Sequence, residues 1–570
     1  MRALNLIPSV ALALAALLCA CPAQAQSKTR NVPVLRAEFP DCPFSTDGAG
    51  TLEMISSAQE YFNSQCSPAL SFNFEPGPVV TLEHEVAWYG ANSTDRKDAR
   101  LCKAVEEACR ASGLDFKRFD NNSDGKADNV CILFAGRSES SGAGEDCITP
   151  QQNSLSALGA AFGVGGVLID SFSVSIEGDG IGGICHEFAH SLGLPDFYDT
   201  DGPLSGGECA ALLGSTSLMD KGNLNGDGAV PPYLNALERE LLGVQEGTPL
   251  EKGRCTLRPM GTEGAEFLRL DTATEGEYFL LECRASEGRD ALIGGGGLLV
   301  YHVDKSQSPA GWSDWYNMEL TAYERWEKNE LNCNPAHQCA YILGEGFFPQ
   351  NGSTGLGSDT NPSFTDWSGR PMSLAITGIT RATDGSVSFN VLEPVELAVK
   401  TVFQDAAIIQ WSADESIMAS GFTVSWKADG SLEEEQSVEL PQDRSFLTIE
   451  GLSPGTDYEV TVRANAGPDA GYRASAAFRT KVWKEGYMPY IYLSSAERSA
   501  DGAFVKGSRI PLRLYNCPEA VEVKWTLDGI RIHTGEDGWY TIEEGGTLRA
   551  EADLSDGSTT IFTKQIRMTE

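Results

Sequence analysis

Six histidines are spread over 570 residues, and two of them stand four apart in His186-Glu187-Phe188-Ala189-His190. On a helix that spacing puts both imidazoles on one face, one turn from each other. Two neutral ring nitrogens so placed reach a single Zn²⁺ at about 2.0–2.1 Å. Glu187 then stands beside the ion rather than on it, placed to take a proton from water. Gly193 can adopt the left-handed conformation that ends a helix, and Pro195 keeps Leu194 extended. The chain is thereby turned so that Asp196 comes back as a third ligand. Glu238, in Leu237-Glu238-Arg239-Glu240, is its rival for that place. Three protein ligands with a fourth position open are the arrangement of a catalytic zinc rather than a structural one. A lone histidine is ordinarily a satisfied core residue, but a pair at ligand spacing with Glu and Gly in place points to metal chemistry.

The motif continues as Leu192-Gly193-Leu194-Pro195-Asp196-Phe197-Tyr198-Asp199, and Ser217-Leu218-Met219-Asp220 follows. Together these resemble the immune inhibitor A-like family of secreted zinc metallopeptidases. Residues 34–45, 119–136 and 231–243 are similar to that catalytic domain, and 277–282 and 297–304 to the β-domain fused to it. The resemblance implies a metzincin-like α/β catalytic domain, zinc as cofactor, protein or peptide as substrate, and Met219 as the Met-turn beneath the metal. Tyr233 is the residue expected to help carry the developing oxyanion. Family members usually carry a propeptide. Here the first catalytic strand begins at Val32, soon after the predicted signal cleavage, which argues against latency by a folded prodomain.

Asp120-Asn121-Asn122-Ser123-Asp124-Gly125-Lys126-Ala127-Asp128 is a second oxygen-rich pattern. Asp120, Asn122, Asp124 and Asp128, with Gly125 for the sharp turn and the Lys126 carbonyl, match the first nine positions of a calcium loop. A structural Ca²⁺ is expected there, and a solvated Asn/Asp turn is the competing reading. Cys131 occupies the position of the last calcium ligand and a strand follows, so the loop is not an EF-hand.

Positioning the zinc motif requires alternating strands and helices. Strands are predicted at 32–39, 79–82 and 129–135, helices at 54–63 and 99–112, and a Gly-bracketed helix from about 182. After Gly243 helical periodicity fades, and runs such as Tyr278-Phe279-Leu280-Leu281-Glu282 predict an antiparallel sandwich. Farther on, Leu452-Ser453-Pro454-Gly455-Thr456-Asp457-Tyr458 resembles the turn-and-tyrosine signature of fibronectin type III modules. The expected architecture is multidomain: an α/β (metzincin-like) zinc peptidase domain followed by all-β sandwich domains. The boundaries are a signal peptide at 1–25, the catalytic domain at 26–245 and an associated β-sandwich at 246–394. A fibronectin type III-like domain at 395–482 and an immunoglobulin-like β domain at 483–570 complete the chain.

With 43 basic and 80 acidic residues the chain carries a formal charge of −37. That excess excludes nucleic acid or an anionic membrane as the main partner, since both demand Lys and Arg. Met1-Arg2, the apolar run that follows and Ala23-Gln24-Ala25 read as a secretory signal peptide cut before Gln26. The alternative is a lipobox, Leu18-Cys19-Ala20-Cys21, that lipidates Cys21 and anchors the protein on the outer surface. Export makes disulfides permissible for the 15 cysteines. Cys102 and Cys109 sit too far apart along one helix, about 10 Å, to pair. Cys333 and Cys339 flank a short loop and can close on each other, and Cys517 is the one left over. A monomeric zinc endopeptidase is the expected function. A zinc-containing adhesin or binding protein of little activity is the alternative, and it gives Glu187 no reason to be present.

Overall fold

The computed structural model describes residues 29–569 apart from 46–48, 95, 210–211, 345, 359, 415–418, 431–434, 466–471, 494–495, 501 and 536–538. The predicted signal segment, with Cys19 and Cys21, lies outside the described residues. Among the described residues no helix is long and apolar enough to cross a membrane. The chain divides into two units, one of residues up to 355 with 377–390, the other of 356–376 with 391–570.

The first unit opens with β1 (Arg30–Glu38), α1 (Ala49–Cys66), β2 (Phe72–Thr81), α2 (Leu101–Ala111) and β3 (Val130–Phe134). Then come β4 (Gln151–Ser154), β5 (Ser171–Ile176) and α3 (Gly180–Ser191). The sheet order is β2-β1-β3-β5-β4. Four strands are parallel, and the edge strand β4 runs antiparallel to β5. Every residue of β3 is buried, as expected of a central parallel strand covered on both faces. One face packs Phe62 and Phe74 with Phe188 of α3. The other packs Leu101, Ala104, Val105 and Ala108 of α2 against Ile132 and Phe134. Helix α1 runs well beyond the predicted 54–63, and β2 starts seven residues before the predicted 79. Strands β4 and β5 were not foreseen, because serines that are buried in the fold interrupt the apolar run of β5.

Two contacts hold α3 in place. A side chain at Gly182 would put its Cβ 1.9 Å from the Asn223 carbonyl oxygen, so only glycine lets the 221–224 turn approach so closely. On the other side Phe188 sits edge-on to Phe62, Phe72 and Phe74, with centroids 5.1, 5.2 and 4.9 Å away. Such aromatic edges add about 0.5–1.5 kcal/mol each beyond burial.

Within the same unit, strands Ala340–Ile342, Gly297–Asp304, Glu277–Arg284, Phe267–Asp271 and Thr248–Pro249 form a second five-stranded sheet in that order. Its central strands are buried along their whole length, charged residues included. Arg284 there is fully enclosed and pairs with Glu282 and Asp290 at 3.0 and 2.6 Å. Ile55 and Phe188 share one hydrophobic cluster with Leu280 and Tyr301, so the cores of the two blocks separated in sequence at residue 245 are continuous.

In the second unit, sheets of three and four strands between Val395 and Arg479 enclose Trp411, Phe422, Val424 and Tyr458. The Tyr458 hydroxyl accepts from the Ser453 N–H at 2.9 Å, closing the predicted tyrosine turn. The last block is built on a four-stranded sheet containing Ala520–Leu527 and Gly546–Leu554. Among the described residues the cysteines are unbridged, so the possible Cys333–Cys339 closure is not seen here. The Cys333 sulfur lies 3.1 Å from the Thr200 hydroxyl instead.

Candidate metal centre

Helix α3 ends where the motif predicts. Gly193 has φ +101°, and the Leu194 N–H turns back to the Ala189 carbonyl at 3.2 Å. The reversed chain carries Asp196 to the histidine face. Asp196 Oδ1 lies 3.2 Å from His186 Nε2 and 3.2 Å from His190 Nε2, and the two nitrogens are 3.1 Å apart. The edge of a tetrahedron about an ion with bonds of about 2.0 Å is about 3.3 Å. The three donor atoms therefore already stand at the spacing a tetrahedral Zn²⁺ requires. His186 and Asp196 are buried and His190 is half-buried.

The backbone orients both rings. His186 Nδ1 donates to the Leu218 carbonyl at 2.9 Å and His190 Nδ1 to the Leu194 carbonyl at 2.7 Å. A carbonyl only accepts, so each Nδ1 carries the proton and each Nε2 is turned to the shared point. Asp196 is clamped by Asn329, whose Nδ2 donates to Asp196 Oδ2 at 2.8 Å and whose Oδ1 accepts from the Asp196 N–H at 2.8 Å. Asp196 Oδ1 has no further partner.

Burial disfavours a charged His186, but Asp196 and Glu187 outweigh it and raise the imidazole from 6.5 to about 9. Burial likewise disfavours a charged Asp196, yet the two imidazoles hold it far below the usual carboxylate range. The consequence for the metal-free protein has a definite sign. His186 is raised on folding, so its pairing with Asp196 stabilises fully below pH 6.5 and is lost as pH rises through about 9. The Tm of chelator-treated protein is expected to fall between pH 6.5 and 9, and that of zinc-loaded protein to change less. Thermal melts across that range check it.

Glu187 is buried beside the histidines. Burial pushes its carboxyl up against the pull of His186 and His190. Met219 is fully buried in the turn that follows, and its carbonyl accepts from the Phe197 N–H at 2.8 Å. The Met219 loop is thus bonded both to the His186 ring, through Leu218, and to the segment carrying Asp196.

Other expected residues lie elsewhere. Glu238 is fully buried but spends its oxygens on Ser217, Met219 and Asn235, so it does not join the imidazoles. Tyr233 packs its ring over Gly261 and Gly288, and its backbone is held by Asp290 and Arg284. The aromatic ring at the histidines is instead Tyr198, stacked on His186 at 6.4 Å and 22° and still 37% exposed. Burial, Asp196 and Glu187 push its phenol up, so it stays a donor. Tyr198 was visible in the motif two residues after Asp196, but nothing near it in sequence announced Asn329.

The Asp120–Asp128 loop makes the sharp turn, with Gly125 at φ +85°. Its acidic groups are engaged within the chain: Asp120 accepts from the N–H groups of Asp124 and Gly125, Asp124 from Lys126 N–H, and Asp128 from Asn121. Among the described residues the acidic, His and Cys donors gather in two groups, His186-His190-Asp196 and Asp199-Asp201-Cys333. The calcium expectation at Asp120, Asn122, Asp124, Lys126 and Asp128 is therefore not supported, because this loop closes on its own hydrogen bonds.

Residues 35–245 match the family described as immune inhibitor A peptidase M6, catalytic domain, and residues 392–480 match the fibronectin type III domain. A curated relative, immune inhibitor A of Bacillus thuringiensis subsp. alesti, is 28% identical over 195 residues, 29% of this chain and 28% of that protein. The chain thus spans little more than a quarter of that relative. A solved structure from the computer-based redesign of a β-sandwich protein covers 17% of this chain and 98% of its own, at 22% identity and a TM-score of 0.16. That score is too low to bear on the fold. The immune inhibitor A resemblance drawn from the motif holds over residues 35–245, which are similar to a peptidase catalytic domain, and the β-rich region that follows contains a segment similar to a fibronectin type III module.

Proposed function

We propose that this chain, whose residues 35–245 are similar to an immune inhibitor A-type peptidase domain, is a secreted zinc-dependent endopeptidase acting on protein or peptide substrates outside the cell. One observation carries the reading: three buried or half-buried donor atoms, 3.1 to 3.2 Å apart, beside a buried Glu187. His186, His190 and Asp196 would hold the ion. When bound, Zn²⁺ supplies a Lewis acid that polarises a carbonyl and acidifies water.

The chain's own groups divide the rest of the work. Glu187 takes the proton of the attacking water and passes it to the departing amine nitrogen. Tyr198, protonated and reachable from solvent, donates to the scissile oxygen as it gains negative charge, the role first expected of Tyr233. Asn329 keeps Asp196 from rotating away. The mixed sheet with its antiparallel edge strand and the Met219 loop under the ligands support the metzincin-like reading. Residues 26–245 form the catalytic domain in this account and 246–394 the associated β-sandwich, whose residues up to Phe347 share its core. The modules at 395–482 and 483–570 provide scaffold and surface contacts.

Incubation of the purified chain with casein, followed by mass spectrometry of the new termini, tests the activity. Internal cleavages that a chelator abolishes are expected, and intact casein at high enzyme would refute the proposal. Tyr198→Phe is expected to lower kcat about 10²-fold with little change in KM, since one oxyanion donor is lost. Steady-state kinetics on a fluorogenic peptide check it.

A further inference from the structure

We propose that Glu238 is a positioning residue for His186, acting through the single peptide group that joins Leu218 to Met219. This rests on reading His186 as a zinc ligand. The N–H of that peptide, on Met219, donates to Glu238 Oε1 at 3.1 Å, and its carbonyl, on Leu218, accepts from His186 Nδ1 at 2.9 Å. One peptide plane therefore has a carboxylate at one end and the imidazole at the other. Hydrogen bonds in series polarise one another. The anion draws on the N–H, the carbonyl oxygen becomes a better acceptor, and His186 is held more firmly with a more electron-rich Nε2. Metal-bound histidines usually receive this tuning from a carboxylate or carbonyl in direct contact. Here the carboxylate works at one remove.

The lever is rigid. Ser217 Oγ donates to the same Glu238 oxygen at 2.7 Å, and the other oxygen accepts from the Asn235 N–H at 2.8 Å. The Glu238 N–H donates to Asn235 Oδ1 at 2.9 Å, completing a capping box at the start of helix Ala236–Leu241. Capping alone does not account for the carboxylate. The box occupies only Oε2, through the Asn235 N–H, whereas Oε1 is given to Ser217 and to the Met219 N–H, and these donors offset the cost of enclosing the carboxylate.

Two readouts separate positioning from folding: zinc affinity measured by competition with a chelator, and the Nδ1–H resonance of His186 in metal-free protein. Glu238→Gln keeps an acceptor oxygen but removes the charge. It should weaken zinc binding about 10–100-fold, the usual cost of losing an outer partner, and shift that resonance. Asn235→Ala removes the capping partner without touching the Met219 loop and should move both readouts much less than Glu238→Gln does. Ser217→Ala should weaken zinc binding to a smaller degree. Parental affinity and resonance in Glu238→Gln would overturn the proposal, as would an equal loss in Asn235→Ala. If Glu238→Gln does not fold, Ser217→Ala decides, and parental affinity there overturns it. A parent chain that binds no zinc would refute the proposed function instead, while the resonance of the metal-free protein still reports on Glu238.

Discussion

Glu187→Ala is expected to lower kcat on casein or a peptide substrate by about 10²–10⁴-fold while zinc content stays at the parent level. The separation of the two readouts follows from the helix. His186 and His190 project from one face of α3 and have their Nδ1 atoms fixed by backbone carbonyls, so neither depends on the Glu187 side chain for orientation. Glu187 is the next residue along from His186, buried and raised in pKa by that burial. Its removal deletes the proton acceptor and leaves the donor triangle standing. Assay of the purified variant alongside metal analysis checks both halves. A variant that cuts at the parent rate would mean that the proton goes elsewhere.

Asp196→Ala is expected to weaken zinc binding by more than about 100-fold, beyond the range typical of outer partners, and to abolish activity at limiting zinc. Asp196 supplies one corner of the triangle, and its carboxylate also holds the imidazoles in their present pairing. With it gone, only Glu187 and the Leu218 carbonyl still oppose burial, so the ring is expected to titrate clearly lower than about 9 in metal-free protein. NMR titration of the metal-free variant gives that value, and isothermal titration gives the affinity. Asn329→Ala should produce a milder loss of affinity, because it frees Asp196 to rotate without removing it.

The site was largely legible because its chemistry is local. His186, Glu187, His190, Gly193 and Asp196 fall within eleven residues, and helical geometry followed by a left-handed turn brings them together. Met219 needed the family resemblance, since a buried methionine is otherwise unremarkable. Tyr233 was misplaced and Asn329 missed for one reason: both are set by tertiary packing. Tyr233 is drawn away by the buried Arg284 and Asp290 pair, and Asn329 arrives from a loop far along the chain after Thr321–Glu327. The sheet was read less completely than the site. Its central strand announced itself as an unbroken apolar run, whereas β4 and β5 carry serine and glutamine at positions that only the finished fold buries or half-buries. The acidic loop at 120–128 is ambiguous in the sequence for a different reason. A turn closed by Asp side chains and backbone N–H groups has the same residue pattern as a calcium loop, because both need oxygens at alternate positions and a glycine at the bend.

Zinc stoichiometry tied to proteolysis tests the central claim most directly. The purified chain is stripped with a chelator, titrated with Zn²⁺ and assayed on casein at each step, with His190→Ala treated in parallel. The account predicts that activity returns with the first equivalent of zinc per chain, and that His190→Ala neither binds that equivalent nor recovers. Proteolysis that persists in the stripped chain, or full recovery by His190→Ala, would contradict it.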